Sequence, residues 1–479
     1  MTSIPSLSTS AGRRLLCGLA ALALSVGAFP VDATAQVDLV ALQEEAVGWL
    51  QEYLRINTVN PPGNETLGAE FFARIFEAEG IDYEFAESAP GRGNIWARLE
   101  GGDEPGIVLL HHIDVVPADE RYWTVDPLSG ELRDGHIYGR GALDTKTSGI
   151  LHLAAFLALH RTDTPLNRDV VFMATADEEA GGFFGAGWLV ENRPEIFDDI
   201  GFLLNEGGGG AEVDGAVNFG LEVTQKVPYW LRLTARGEPG HGSRPLETYA
   251  SLKMIEALER FRLHEFEPRV IPAVHVHLSG IADRHPEPWR TRFADMASAV
   301  REPGVLDELQ RYDPGLHALT RNTCSITRFE GSNKINVVSP EVAAEIDCRL
   351  LPDQDPEEWL SEVRSVLGPE IEVEVLMGFT PAVSSTETDL YRVVREVTLE
   401  TFPEAGFVPQ VVGGFTDSHF FRDLGITAYG YTATATPAED SGGVHGNDER
   451  VRELDVRRGV EMTLRILERF AATRPVMED

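Results

Sequence analysis

Gly106-Ile107-Val108-Leu109-Leu110-His111-His112-Ile113-Asp114 is a short apolar run that ends in two imidazoles and a carboxylate. Its apolar residues do not alternate with polar ones. That pattern predicts a strand buried on both faces over Gly106 to Leu110. Two further runs end alike. Val170-Val171-Phe172-Met173 leads into Ala176-Asp177-Glu178-Glu179, and Phe202-Leu203-Leu204 leads into Asn205-Glu206. Helical spacing fills the intervals, over Gly149 to His160 and Gly185 to Asn192. With strands at Asp169 to Ala174 and Ile200 to Leu204, the rhythm implies an α/β sheet covered by helices on both faces.

Working outward, Val37 to Leu54 and Thr66 to Gly80 have helical spacing, with Gly80 as a stop. Asn60-Pro61-Pro62-Gly63 between them reads as a loop. The rhythm changes near Lys226. Tyr229 to Ala235 alternates like a half-exposed antiparallel strand, as do Thr323 to Phe329 and Val342 to Leu350, and Tyr249 to Leu263 is helical. Residues 264–320 are too long for one connection and are expected to carry helices of their own. The first rhythm returns with a helix at Leu390 to Thr401, a strand at Ile426 to Tyr431 and an amphipathic helix at Val451 to Ala471. The expected layout is a first domain in two parts, 37–224 and 381–479, with an α+β domain, 225–380, inserted in it.

At 479 residues the chain is too long for one ordinary core, which agrees with two domains. Its 43% hydrophobic and 25% charged content is that of a globular protein. A net charge of −36 repels phosphate backbones, so no nucleic-acid partner is expected. Residues 1–36 read as an export signal: Arg13 and Arg14, the apolar run Leu15 to Phe29, then Ala33-Thr34-Ala35 before Gln36. The run is short for a membrane span. The expectation is export to the periplasm or the extracellular space, without a stable membrane anchor after cleavage. Cys324 and Cys348 then remain. Pairing across a hairpin and two buried free thiols are both open.

The three acidic or histidine clusters follow apolar strands, and ligand sites in open α/β sheets lie beyond the carboxyl ends of their strands. Asp144, in Gly139-Arg140-Gly141-Ala142-Leu143-Asp144-Thr145-Lys146, and His445, in Gly443-Val444-His445-Gly446-Asn447-Asp448-Glu449, each precede a helix. His112, Asp144, Glu179, Glu206 and His445 are the candidate metal ligands. Three carboxylates and two imidazoles suit divalent ions, with zinc favoured by the histidines. Each cluster alone is weak. An Asp-Glu-Glu triplet is ordinarily a solvated acidic turn, and Gly207 to Gly210 alone is a flexible loop. The case rests on the clusters occurring together, in order.

The ordered set His112-Ile113-Asp114-Val115-Val116-Pro117, Gly139 to Lys146, Asp177-Glu178-Glu179, Asn205-Glu206-Gly207-Gly208 and His445 to Glu449 resembles the co-catalytic zinc aminoacylase and carboxypeptidase family, metallopeptidase family twenty. The match spans nearly the whole mature chain. The resemblance implies a zinc-exopeptidase-like catalytic domain with a central mixed sheet, plus an inserted α+β lid and dimerisation domain. It implies two divalent metal ions, with Asp144 bridging them, His112 and Glu206 on one, and Glu179 and His445 on the other. Asp114 would hold the His112 ring by its other nitrogen, and the His-x-Asp spacing selects His112 over His111. Glu178 would be the general base, passing a proton from the attacking water to the leaving amine. Asp177 has no assigned role.

In the inserted segment, Gly237-Glu238-Pro239-Gly240-His241-Gly242-Ser243-Arg244-Pro245 is similar to the family's glycine-histidine loop. The resemblance implies that His241 polarises the oxyanion, often across a subunit boundary, and hence a homo-oligomer. Asn336 and Arg349 match lid positions that contact substrate, and Arg349 has the fork to grip a carboxylate. Asp417 and Ser418, in Gly413-Gly414-Phe415-Thr416-Asp417-Ser418, are expected to line the pocket. One departure stands out: where the family usually has an arginine after this serine, the chain has His419, with Arg422 three residues later. Glu206, the glycines after it and the long segment 264–320 are most similar to the carboxypeptidase S and N-fatty-acyl amino acid hydrolase branch. The implied substrate is an N-acyl amino acid with an apolar acyl group; a carboxypeptidase or dipeptidase acting on short peptides is the alternative. A non-catalytic binding domain on this fold is the reading from another class, and loss of Glu178 or a metal ligand would favour it; all are present.

Overall fold

A computed structural model describes residues 37–213 and 215–473. The export signal read over residues 1–36 lies outside the described residues. An eight-stranded mixed sheet forms the centre. Its order is Tyr83–Glu87, Gly93–Leu99, Arg168–Thr175, Glu104–His112, Ile200–Val213, Thr427–Pro437, Ala216–Gln225 and Gly406–Val412. The strands Arg168–Thr175, Glu104–His112, Ile200–Val213 and Thr427–Pro437 run parallel to their neighbours in that series. Their apolar runs are unbroken because both faces are covered. Ile107, Leu109, Val170 and Phe172 pack on one face beneath the helices Leu39–Leu54, Lys146–Arg161 and Glu453–Phe470. Val108, Leu110, Val171 and Met173 pack on the other beneath Ala186–Asn192 and Ser418–Asp423. Glu65–Glu79 ends where Gly80 takes a left-handed conformation, φ 70°.

The glycine run after Glu206 is not a flexible loop. It continues the Ile200–Val213 strand, which pairs with both Thr427–Pro437 and Ala216–Gln225 while those two also touch each other. Three strands therefore close on one another. A β-carbon on Gly208 would stand 2.2 Å from the Gly430 carbonyl oxygen and 2.6 Å from that of Gly220. Glycine is required for that approach.

A second sheet is wholly antiparallel, in the order Thr323–Glu330, Glu341–Leu350, Val227–Arg236 and Ile371–Gly378. The helices Ala250–Leu263 and Pro356–Leu367 cover one face of it. The register sets Cys324 opposite Cys348, and the two form a disulfide. Residues 264–320 do carry helices, including Pro272–Ile281, Trp289–Ala294 and Val305–Tyr312, around a small core of their own. That core includes Val408 and Val411 of the Gly406–Val412 edge strand, so it also covers the margin of the large sheet. No helix among the described residues is long and apolar enough to cross a membrane.

Candidate metal centre and active site

His111 and His112 leave the end of one strand in opposite directions. His111 follows the parity of Ile107 and Leu109 and is fully buried, its ring beside Phe72 and Phe172 and its Nε2 3.4 Å from the Tyr53 hydroxyl. A β-carbon on Gly149 would meet that ring at 2.3 Å, so the helix beneath seals it in. Burial holds His111 well below the usual imidazole range. His112 points the other way. Its Nδ1 donates to the Asp114 carbonyl at 2.9 Å, which leaves Nε2 as the ring atom that faces the carboxylates and could serve a cation once its proton is displaced.

Two groups of ligand atoms meet there and share one residue. His112 Nε2 lies 3.1 Å from Asp144 Oδ1 and 3.7 Å from Glu206 Oε1. His445 Nε2 lies 3.1 Å from Asp144 Oδ2 and 3.1 Å from Glu179 Oε2. Within each group all donor atoms fall within 4.8 Å of one another. Each oxygen of Asp144 thus serves a different group. The donor set fits a pair of divalent cations, and Glu179 Oε1 is buried without any hydrogen-bond partner. Glu178 is buried alongside, its Oε2 3.9 Å from His112 Nε2.

The electrostatics are those of crowded carboxylates. Burial, aided by the Asp144 and Glu179 charges and opposed by His112, pushes Glu206 up to about 7. Burial and the Glu206 charge hold Glu178 well above the usual carboxylate range. Asp144 moves the other way: burial raises it, but bonds to His112 and His445 outweigh burial and hold it low. The bonds of His445 to Asp144 and Glu179 push it up to about 10. Such a cluster holds protons where a cation would otherwise balance the charge.

Other carboxylates build the frame. Asp114 grips the turn that carries the acidic pair, accepting from the backbone N–H of Glu178 at 3.1 Å and of Glu179 at 3.2 Å. Its carboxylate stands 3.5 Å from His112 Nδ1, farther than its own carbonyl, so the ring is held mainly by the backbone. Asn60 donates to Asp114 at 2.8 Å and to Asp177 at 3.3 Å, and Arg92 ties Asp177 to Glu65. Asp177, left-handed at φ 74°, is therefore part of this frame. On the other side, buried Glu449 accepts from the backbone N–H of Gly141, Leu143 and Asp144 and from Arg140. Arg140 also donates to the Gly446 carbonyl at 2.7 Å, joining the Asp144 loop to the His445 loop. The sequence reading missed Asn60, Arg92, Arg140 and Glu449 as site residues. Arg140 and Glu449 lay inside quoted motifs, where an acid and a base in paired loops was the available signal; Asn60 and Arg92 left none.

The substrate-side candidates are placed less closely. His241 and Asn336 share a small ribbon, in which Gly240-His241 pairs with Val337-Val338 and Gly242 N–H donates to the Asn336 carbonyl. Both are exposed, and the hydrogen bonds of His241 stay within its own loop, to Ser243. Arg349 is engaged by Asp347, Nε to Oδ1 at 2.7 Å, and stands over the Phe415 ring. Asp417 is buried and accepts from Thr175 at 3.3 Å. Ser418 departs from expectation. It is fully buried with its hydroxyl accepting from Asn205 at 3.1 Å, so it braces the strand before Glu206 and lines no open pocket. His419 stacks on Phe379, and burial brings it down to about 3, so it supplies no cation. Arg422 is spent on buried Glu222.

Comparison with known proteins agrees with this geometry. Residues 108–469 match the family described as Peptidase family M20/M25/M40. Over 455 residues the chain is 30% identical to the N-fatty-acyl-amino acid synthase/hydrolase PM20D1 of Xenopus tropicalis, covering 89% of this chain and 86% of that protein. It is 26% identical to aminoacylase-1 of Homo sapiens, over 91% of this chain and 98% of that one. Among solved structures, the M20 family metallo-carboxypeptidase Sso-CP2 from Sulfolobus solfataricus has a TM-score of 0.68 at 19% identity, covering 88% of this chain and 98% of its own. The YXEP protein of Bacillus subtilis, described as a dinuclear metal binding peptidase, has a TM-score of 0.54 at 13% identity, over 89% and 98%. With the matched region spanning both ligand groups and the inserted sheet between them, the chain belongs to peptidase family M20/M25/M40 and is a hydrolase of that family.

Proposed function

We propose that this hydrolase cleaves the amide bond of N-acyl amino acids with apolar acyl groups, using two divalent cations, with zinc favoured by the two imidazoles. The observation that carries the reading is the sharing of Asp144 between two ligand groups with Glu178 beside them. Bound there, the cations would polarise the scissile carbonyl and acidify water. Glu178 takes the proton from the attacking water and delivers it to the leaving amine nitrogen. Asp114 and Glu449 keep the ligand loops in place through the backbone bonds described above. His241 acts from the lid. The Ser243 N–H donates to its Nδ1 at 3.1 Å, which puts the ring proton on Nε2, where it can meet a developing oxyanion. The similarity to the N-fatty-acyl-amino acid synthase/hydrolase supports the choice of substrate.

The reading extends to where and how the protein works. Export, with removal of the segment 1–36, is supported by the Cys324–Cys348 disulfide, a bond kept in oxidising compartments. A homo-oligomer built through the inserted domain is supported by the exposure of His241, whose hydrogen bonds stay within its own loop and leave the ring free to meet another subunit. The deciding experiment supplies metal-loaded protein with N-oleoyl-phenylalanine and with a dipeptide ending in phenylalanine, and measures released phenylalanine. A kcat/KM about tenfold or more in favour of the acylated amino acid is expected. Turnover of the dipeptide alone would overturn the reading.

A further inference from the structure

A cleft of about 900 Å³ opens directly off the metal ligands Asp144 and Glu206. Its floor is the glycine strand: Gly207 to Gly210, then Ala211 and Val213. At roughly 3.3 Å per residue, the path from Glu206 to Val213 is roughly 20 Å long. Four consecutive glycines make that stretch of the floor bare backbone. The walls near the metal ligands are Leu143 and Val444, and farther out Val408 and Ile281. The far wall belongs to the helical segment. Helix Pro272–Ile281 lies on the Gly406–Val412 strand through Leu278, Ile281, Val408 and Val411, and His277 accepts from the Val411 N–H at 3.4 Å.

Two of the polar groups around the cleft are already occupied. The Thr432 hydroxyl bonds Ser148 at 2.7 Å, and the Asn218 side chain accepts from Gly406 N–H at 3.3 Å. Beyond the metal ligands, charged side chains, Asp283 and Arg284, enter at the helix end, and Gln410, Thr434 and Thr436 add uncharged polar groups. A long groove of this volume, more apolar than polar and with its polar lining partly satisfied from within, suits a hydrocarbon chain better than a peptide, many of whose amides would go unpaired there. We propose that this cleft holds the hydrocarbon chain of the acyl group, so that the glycine strand and the helix Pro272–Ile281 set the preference for long chains. The proposal rests on the N-acyl amino acid reading above.

The test measures binding of sodium palmitate to the metal-loaded protein by titration calorimetry, beside the ratio of kcat/KM for N-palmitoyl to N-acetyl substrate. Ala216 and Val213 are both exposed, so Ala216→Trp and Val213→Asp alter the outer groove without disturbing the core. Palmitate should bind the wild type, and both variants should weaken binding and lower the ratio by about tenfold. Absent palmitate binding, or binding and ratio unchanged in both variants, would overturn the cleft assignment while N-acyl hydrolysis stood. Palmitate binding lost in the variants, without hydrolysis of any N-acyl amino acid by the wild type, would support the groove as a hydrocarbon site and overturn the substrate reading instead.

Discussion

Asp144 and His241 are held in opposite ways. The Asp144 backbone N–H and its neighbours are bound by buried Glu449, which is bound in turn by Arg140, and each Asp144 oxygen meets an imidazole. His241 sits exposed on a two-strand ribbon whose partner strand includes Val337, itself 44% exposed, with fully exposed Ile335 just before it. The large-sheet half of the site is organised within one chain before substrate arrives. The ribbon that carries His241 is exposed and held by few bonds, which suits the role proposed for it, closing on substrate or meeting another subunit. Stiff positioning is needed where ligand atoms must hold a fixed spacing, and mobility where substrate must enter.

Substitutions in the two regions should differ in effect. Replacing Asp144 by Ala should remove a ligand from both groups at once. Activity should fall to the buffer blank and metal content, read by plasma mass spectrometry, should drop for both ions; retention of both would refute the shared bridge. His241→Ala should lower kcat by about 10²–10³-fold, as for loss of an oxyanion donor, with thermal stability and metal content unchanged. A purely structural His241 would instead lower the melting temperature and leave kcat alone. Glu449→Gln should weaken metal affinity about 10–100-fold in a chelator competition, since it acts through the Asp144 loop. Unaltered affinity would show that the loop holds itself. The smallest effect belongs to Ile335→Ser, which should change stability by less than about 0.5 kcal/mol in denaturant unfolding, because that side chain is fully exposed.

The same contrast explains what could be read from sequence. Strands such as Glu104–His112 were legible because both faces are buried, so the local pattern carries the tertiary environment. Their chemistry was legible because the ligands follow them in the chain. The frame was not. Asn60 reaches Asp114 across 54 positions and Arg140 reaches Glu449 across 309, and no local spacing encodes such pairs. The glycine run misled for a related reason: glycine ordinarily interrupts strands, and the three-strand closure that requires it is long-range. The fate of Cys324 and Cys348 depended on register, which alternation does not fix. Ser418 looked like a pocket residue because its loop, Gly413 to Ser418, resembles a family loop, yet the short helix it begins turns it into the core.

The central claim is that Asp144 joins two cation sites beside a separate proton carrier, Glu178. The most direct measurement takes Glu178→Gln and determines metal stoichiometry and turnover on the same sample. Two ions per chain are expected, as in the wild type, with kcat reduced by about 10³-fold. Near-normal turnover, or loss of an ion along with activity, would contradict that claim.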